Sequence, residues 1–191
     1  MFDLPLNGVV ILDRDGVINE DSDAYIKSVD EWVPLPGSIE AIARLSRAGF
    51  RIGVATNQSG IGRGYYDEYA LAQMHELMNA LVEEAGGHID AVAYCPHLPD
   101  AGCDCRKPLP GLIDALAESM QTPLTGAWFV GDTAKDIETA LSRQCRPILV
   151  MTGKGERTLP KLNPTLREAA VVVPDLAAAV DYILANSHTP S

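Results

Sequence analysis

The sequence predicts an α/β protein, a mostly parallel sheet with helices packed on both faces. Three observations carry that expectation. Short apolar, largely β-branched runs alternate with stretches of helical period from Val9 to Leu184. Several runs end in acidic or glycine-rich segments, where parallel sheets carry their ligands. The composition, 47% hydrophobic and 21% charged, is that of a globular chain, and 191 residues suit a single domain over 1–191 with ample core.

Taken in order, Val9–Leu12 reads as a buried strand, followed at its carboxyl end by Asp13, Asp15 and a turn at Gly16. Residues 20–36 lack a clean period and read as a flap beside the site, too small to be a cap domain. Pro36-Gly37-Ser38 opens a helix carrying Ile39, Ile42 and Leu45. A second strand, Arg51–Ala55, runs into Thr56-Asn57-Gln58-Ser59-Gly60-Ile61-Gly62-Arg63-Gly64, which suits an anion cradle of hydroxyl, amide and backbone N–H groups. Asp67 caps the next helix, whose stripe is Leu71, Met74, Met78, Leu81 and Val82, with His75 as a partly exposed helix residue. A strand at Ile89–Tyr94, a helix from Pro110-Gly111 with Leu112, Ile113, Leu116 and Met120, and a strand at Ala127–Val130 follow. A helix with Ile137, Ala140 and Leu141, strands at Pro147–Met151 and Val171–Val173, the latter a short edge strand, and a helix with Leu176, Val180, Ile183 and Leu184 complete the pattern before a polar tail at Asn186–Ser191.

A net charge of −11 argues against a nucleic-acid partner, which needs a basic face. Met1–Asn7 lacks the basic and long apolar regions of a signal peptide, and no apolar run reaches the roughly 20 residues of a membrane span. The expected setting is the cytoplasm, where cysteines are metal ligands or free thiols rather than disulfides. Cys95, His97, Cys103 and Cys105 fall within eleven residues of a Pro/Gly-rich loop, a Cys₃His set that closes a tetrahedral structural zinc site. Cys145 is left over and reads as a buried apolar residue.

On a parallel sheet, Asp13, Asp15, Thr56, Lys107 and Asp132 converge at one edge. Crowded carboxylates call for a hard divalent cation, and Mg²⁺ prefers oxygen ligands: the Asp13 and Asp132 carboxylates and the Asp15 carbonyl, with Asp136 in support. Thr56, Lys107 and the adjoining Arg106 face phosphoryl oxygens, a fork beside a point charge. The chemistry implied is phosphoryl transfer: Asp13 attacks phosphorus to form an aspartyl-phosphate, while Asp15 protonates the departing alkoxide and then takes a proton from water. Asn19, Asp21, Ser22, Asn57, Gln58 and Ser59 are the candidate substrate contacts. Asp21 and Asp23 would repel a second phosphate and leave it toward Arg106.

Asp13-Arg14-Asp15-Gly16, Thr56-Asn57, Arg106-Lys107-Pro108 and Gly131-Asp132-x-x-x-Asp136 resemble the four ordered motifs of the haloacid dehalogenase (HAD) superfamily of phosphatases. The extended first and second motifs, through Asn19 and Gly64, and the Cys95–Lys107 loop are similar to its heptose bisphosphate phosphatases. The resemblance spans about 9–150. It implies a Rossmann-like fold without a large cap, Mg²⁺, structural zinc, and a small sugar phosphate as substrate, losing its 7-phosphate in heptose synthesis for lipopolysaccharide or related glycans. It implies the nucleophile at Asp13, the acid/base at Asp15, phosphoryl contacts at Thr56 and Lys107, and substrate recognition at Arg106. Thr133 stands where some relatives carry Lys. Histidinol-phosphate phosphatases share the zinc pattern and are the alternative enzyme; a catalytically silent zinc-containing binding module is the alternative of another class. A monomer is expected.

Overall fold

The computed structural model describes residues 8–187; the Met1–Asn7 start and the last residues of the polar tail lie outside them. Six strands form one all-parallel sheet: β1 (Val9–Leu12), β2 (Arg51–Asn57), β3 (Ala91–Cys95), β4 (Trp128–Gly131), β5 (Arg146–Val150) and β6 (Val171–Val173). Their order is β3-β2-β1-β4-β5-β6, so the chain reverses direction across the sheet between β1 and β4. That reversal leaves a crevice at the carboxyl ends of these two strands, the natural ligand position in this topology.

β1 lies at the centre because both its faces are apolar. Val10 and Leu12 pack with α1 (Ser38–Arg47), α3 (Glu68–Glu84) and α8 (Leu176–Asn186) on one side. Val9 and Ile11 pack with α4 (Gly111–Met120) on the other, where α5 (Ala134–Ser142) and, after the short α6 (Gly155–Thr158), α7 (Pro164–Ala169) cover β4 and β5. All four residues are at most 2% exposed. At about 25 cal/mol per Å² of apolar surface, such burial is the main stabilising term. Among the described residues, no helix is long and apolar enough to cross a membrane.

Most elements stand within two residues of the sequence expectation. β2 runs to Asn57 rather than Ala55, because Thr56 and Asn57 still pair with Tyr94 and Cys95 of β3. Leu141, expected in an apolar stripe, is exposed in the last turn of α5. The flap is pinned at its base, where Glu20 donates to Val33 (2.8 Å) and Leu35 to Ile18 (2.9 Å), while Ile26 and Trp32 plug it into the core. It contains one 3₁₀ turn, Val29–Glu31.

The glycine-rich segment departs from the anion cradle. Residues 59–62 wind into a helical turn, α2 (Ser59–Gly62), and the N–H groups of residues 61–65 bond carbonyls of the same segment or of Pro96. A side chain at Gly60 would strike the Tyr66 ring, and one at Gly62 the Pro96 carbonyl. These glycines serve close packing, and only the Thr56–Ser59 part of the segment faces a cavity.

Gly16 ties the fold to the site. Its φ of +88° is a left-handed turn, and a Cβ there would run into the Asp132 carboxylate. Gly16→Ala is expected to lower stability by at least about 1–2 kcal/mol, the left-handed cost alone, and to remove turnover by displacing Asp132. Thermal melting and an activity assay on the same preparation check this.

Candidate active site

Asp13 leaves β1 with its N–H bonded to the Val130 carbonyl of β4 (2.9 Å), and Asp132 follows β4 one residue after its end. The topology thus sets two carboxylates side by side, and Asp136, from the first turn of α5, joins them with ligand oxygens mutually within 4.8 Å. All three are at most 8% exposed. Lys107, 3% exposed, offsets part of the cluster's charge. Its Nζ lies 3.0 Å from Asp13 Oδ1 and 2.7 Å from Asp136 Oδ1, and donates to the Ala55 carbonyl at 2.9 Å. Asn57 holds the lysine's backbone in turn, accepting from its N–H (3.0 Å) and donating to its carbonyl (3.3 Å).

The three carboxylates are not equivalent. Asp136 has both oxygens engaged: Oδ1 by Lys107, Oδ2 by the N–H of Asp132 (3.1 Å) and by the N–H and hydroxyl of Thr133. Burial alone would raise its pKa, but the Lys107 charge and hydrogen bond outweigh burial and hold it below the usual range. It stays an anion that fixes its neighbours. Thr133 closes a capping box with Asp136 at the start of α5. Asp132 Oδ2 accepts the Lys154 N–H (2.9 Å), while its Oδ1 is buried with no partner. Burial and then the charge of Asp136 push Asp132 up to about 7. The same two causes raise Asp13 well above an ordinary carboxylate, against the pull of Lys107. A buried, unpartnered carboxylate oxygen beside a second strained carboxylate is a ready site for a hard cation, and the oxygen-only donors fit Mg²⁺.

The Asp15 side chain turns away from this cluster. Its Oδ1 takes Arg14 Nη2 (2.7 Å), Arg14 Nε (2.9 Å) and Asn19 Nδ2 (2.9 Å), and its Oδ2 takes only Gln58 Nε2 (3.2 Å). Burial would raise its pKa; the Arg14 charge and these hydrogen bonds outweigh it and lower it. Any metal contact from Asp15 therefore falls to its carbonyl, not its carboxylate.

Asp13, Asp15, Asp132 and Lys107 line a cavity of about 560 Å³ together with Asp21, Ser22, Thr56, Asn57, Gln58, Ser59 and Arg106. Asn19, expected as a substrate contact, does not line it: it is fully buried behind Asp15 and braces that carboxylate. Gln58 is also spent internally, donating to Thr56 Oγ1 (2.9 Å) and accepting from Tyr66. The flap acids are not bare anions. Asp21 pairs with Lys154 (3.1 Å) and Asp23 with Arg157 (3.0 Å), so their expected repulsion of a phosphate is largely cancelled.

Lys135 and Lys154 line the same cavity and were not read from the sequence. Burial, then the charges of Arg106 and Lys154, lower the Lys135 pKa, as expected of cations gathered around one space. Arg106 Nη1 is buried without a partner. The signal for Lys154 was present: Thr152-Gly153-Lys154-Gly155 follows a strand's carboxyl end just as the other site segments do.

Beside the cavity, Cys95, His97, Cys103 and Cys105 form a second cluster, again with ligand atoms mutually within 4.8 Å. Cys95 Sγ lies 3.7 Å from Cys103 Sγ and 3.4 Å from His97 Nδ1, and His97 Nδ1 lies 3.2 Å from Cys105 Sγ. All four cysteines are free thiols, and Cys145 is buried elsewhere. One tetrahedral ion with bonds of about 2.0–2.3 Å suits this spacing and donor set. Arg106 and Lys107 follow directly.

The HAD-hydrolase-like family model matches residues 104–179. Heptose-1,7-bisphosphate 7-phosphatases resemble the chain over nearly its whole length. That of Pseudomonas putida is 58% identical over 170 residues, covering 89% of this chain and 95% of its own. The Bordetella bronchiseptica enzyme is 47% identical over 176 residues, covering 92% and 97%. The chain belongs to the D-glycero-beta-D-manno-heptose-1,7-bisphosphate 7-phosphatase family. A crystal structure from B. bronchiseptica, a D,D-heptose 1,7-bisphosphate phosphatase complexed with magnesium and phosphate, superposes with a TM-score of 0.88 at 46% identity, covering 93% of this chain and 98% of that one. A heptose bisphosphate phosphatase fold without a large cap is what the six-stranded sheet and pinned flap display.

The cluster makes cation binding pH-dependent. The folded-state pKa of Asp132, about 7, lies above the unfolded value of about 3.9, so the folded state holds its proton more tightly. That stabilising contribution is complete below about pH 4 and is lost as pH rises to about 7. Asp15 and Asp136, lowered in the fold, act only at more acidic pH. Mg²⁺ competes with the proton, so its stabilisation of the protein is expected to be larger at pH 8 than at pH 5. Melting temperatures with and without Mg²⁺ at the two pH values measure this; equal shifts would contradict it.

Proposed function

We propose that the protein is a Mg²⁺-dependent phosphatase that removes the 7-phosphate of D-glycero-D-manno-heptose 1,7-bisphosphate through an aspartyl-phosphate on Asp13. The observation that carries the reading is the buried, unpartnered Oδ1 of Asp132 beside Asp13, in a cavity that Arg106 and Lys135 also line. The acidic centre asks for a cation, and the basic wall asks for a substrate with more than one anionic group.

Asp13, one atom of which is held by Lys107 and the Arg14 N–H, attacks phosphorus through its carboxylate. The Asp13 and Asp132 carboxylates and the Asp15 carbonyl would hold Mg²⁺. When bound, the ion offsets the charge that makes Asp13 hard to ionise and neutralises the phosphoryl oxygens. Thr56 meets the transferred group, beside the positive charge of Lys107. Asp15 gives a proton to the departing sugar oxygen and recovers one from the attacking water. Asp21, Ser22, Asn57 and Ser59 face sugar and phosphate, and Arg106 with Lys135 meets the second phosphate. Lys135, the second residue of α5, supplies a cation at the start of that helix. The whole acts as one domain over 1–191, as a monomer in the cytoplasm, where three thiols stay reduced for zinc at Cys95, His97, Cys103 and Cys105.

Phosphate release from both heptose 1,7-bisphosphate anomers, fructose bisphosphate and histidinol phosphate tests the substrate. A heptose bisphosphate is expected to give the highest kcat/KM. Preference for histidinol phosphate would overturn the substrate while keeping the mechanism, and no release from any would leave a binding module. Asp13→Asn is expected to cut turnover by more than about 1,000-fold with the fold retained.

Cys105→Ser is expected to lower bound zinc from about one per chain and to cost turnover by loosening the Arg106-Lys107 segment. Metal analysis beside kinetics checks this; a zinc-free, fully active wild type would refute the site.

A further inference from the structure

Among the described residues Arg14 is the largest fully buried side chain, and nothing in the reaction so far uses it. Its guanidinium spans two regions. On one side Nε and Nη2 both donate to Asp15 Oδ1, at 2.9 and 2.7 Å. On the other, Nη1 lies 3.3 Å from Nε2 of His75, in the middle of α3. His75 does not line the catalytic cavity; it belongs to a separate, more open depression with Glu68, Glu76, Asn79, Glu83 and Tyr94.

An arginine has only donors, so a contact with His75 Nε2 requires an unprotonated nitrogen there and the ring proton on Nδ1. Burial, and then the Arg14 charge, hold the His75 pKa down to about 4, which keeps the ring neutral near pH 7. The imidazole is therefore an acceptor that fixes the far end of the guanidinium. The near end, with Asn19 Nδ2 at 2.9 Å, places three donors on one carboxylate oxygen. The other oxygen, Oδ2, has only the Gln58 amide at 3.2 Å, and Gln58 is itself held by Tyr66 and Thr56.

We propose that Arg14 and His75 are positioning residues for Asp15, locking its carboxylate so that Oδ1 is saturated and Oδ2 is the atom that carries the proton to and from substrate. This rests on the reading of Asp15 as the acid/base. The saturated oxygen has no room for a further donor, whereas Oδ2 has a single weak, neutral contact on a residue that lines the cavity. Without the guanidinium the carboxylate can rotate about its Cβ–Cγ bond and exchange its two oxygens, so the proton is misplaced in part of the population. Substrate binding, which depends on the cavity wall, is unaffected.

The expected signature is a loss in kcat with KM held. Arg14→Lys keeps the charge but cannot fill both ends; with heptose 1,7-bisphosphate and saturating Mg²⁺ it is expected to lose about 10- to 150-fold in kcat, the worth of a charge-assisted hydrogen bond, with KM within about twofold of wild type. His75→Phe, which keeps a ring but no acceptor, is expected to lose about 3- to 10-fold, and His75→Gln, whose amide oxygen accepts, to recover to within about twofold of wild type. Asp15→Asn, measured in parallel, should fall by at least about 100-fold. Unimpaired Arg14→Lys, or His75→Gln as impaired as His75→Phe, refutes the positioning role while a crippled Asp15→Asn leaves the acid/base reading standing. Unimpaired Asp15→Asn refutes that reading and the positioning role with it. If Arg14→Lys fails to fold, the His75 pair decides alone, because a half-buried residue on one face of α3 tolerates exchange.

Discussion

Three carboxylates buried against one another at the switch point of a parallel sheet are the constraint on which the rest of this structure depends. Removing charged groups from water is costly, and like charges in contact compound the cost. One buried lysine answers part of it, touching Asp13 and Asp136 at once and using its third donor on the backbone of β2. The remainder is left on Asp13 and Asp132, whose raised proton affinities record charge that the protein does not itself compensate. A structure that stores this imbalance in an open cavity is prepared for a cation and for an anion that the cation can share.

The surrounding elements are disposed to keep Lys107 in place. Asn57, at the last position of β2, grips its backbone from both sides. Behind it, the Cys/His cluster binds the loop that delivers it, in a stretch with few apolar side chains to anchor it otherwise. α5 contributes Asp136 from its first turn, with the capping box fixing the angle of the carboxylate. Each device acts on a different covalent neighbour of the same salt-bridged cluster, so geometry near the reacting atoms is set by several independent contacts.

Much of this was legible from residue order alone, for reasons that differ by element. The buried strands were plain because both faces of a parallel sheet must be apolar, so Val9–Leu12 needed no alternation to be recognised. The Cys₃His loop was plain because few other arrangements place four soft ligands within eleven residues. Less visible were groups whose role comes from tertiary contact. Arg14 reads as a polar residue between two aspartates, and only the fold shows it fully buried and touching a helix 61 positions away. Asn19 reads as a loop donor near substrate but sits behind Asp15. The glycines at 60 and 62 read as an anion cradle because glycine is used both for exposing N–H groups and for close approach, and spacing does not separate the two uses. The short helix α7 carried its own signals, Asn163 as cap and Pro164 at the first position, beyond the part of the chain where site motifs drew attention.

The flap has a bearing on speed. Its acids Asp21 and Asp23 reach Lys154 and Arg157, on the segment that follows β5, so two distant parts of the chain meet there through one partly buried and one exposed ion pair. The exposed Asp23–Arg157 pair is worth little and is weakened by salt. Parting it requires side chains to rotate, a motion of picoseconds to nanoseconds when exposed, whereas closing one domain over another takes microseconds to milliseconds. The flap can therefore loosen and re-form at its Asp23–Arg157 contact by side-chain rotation alone.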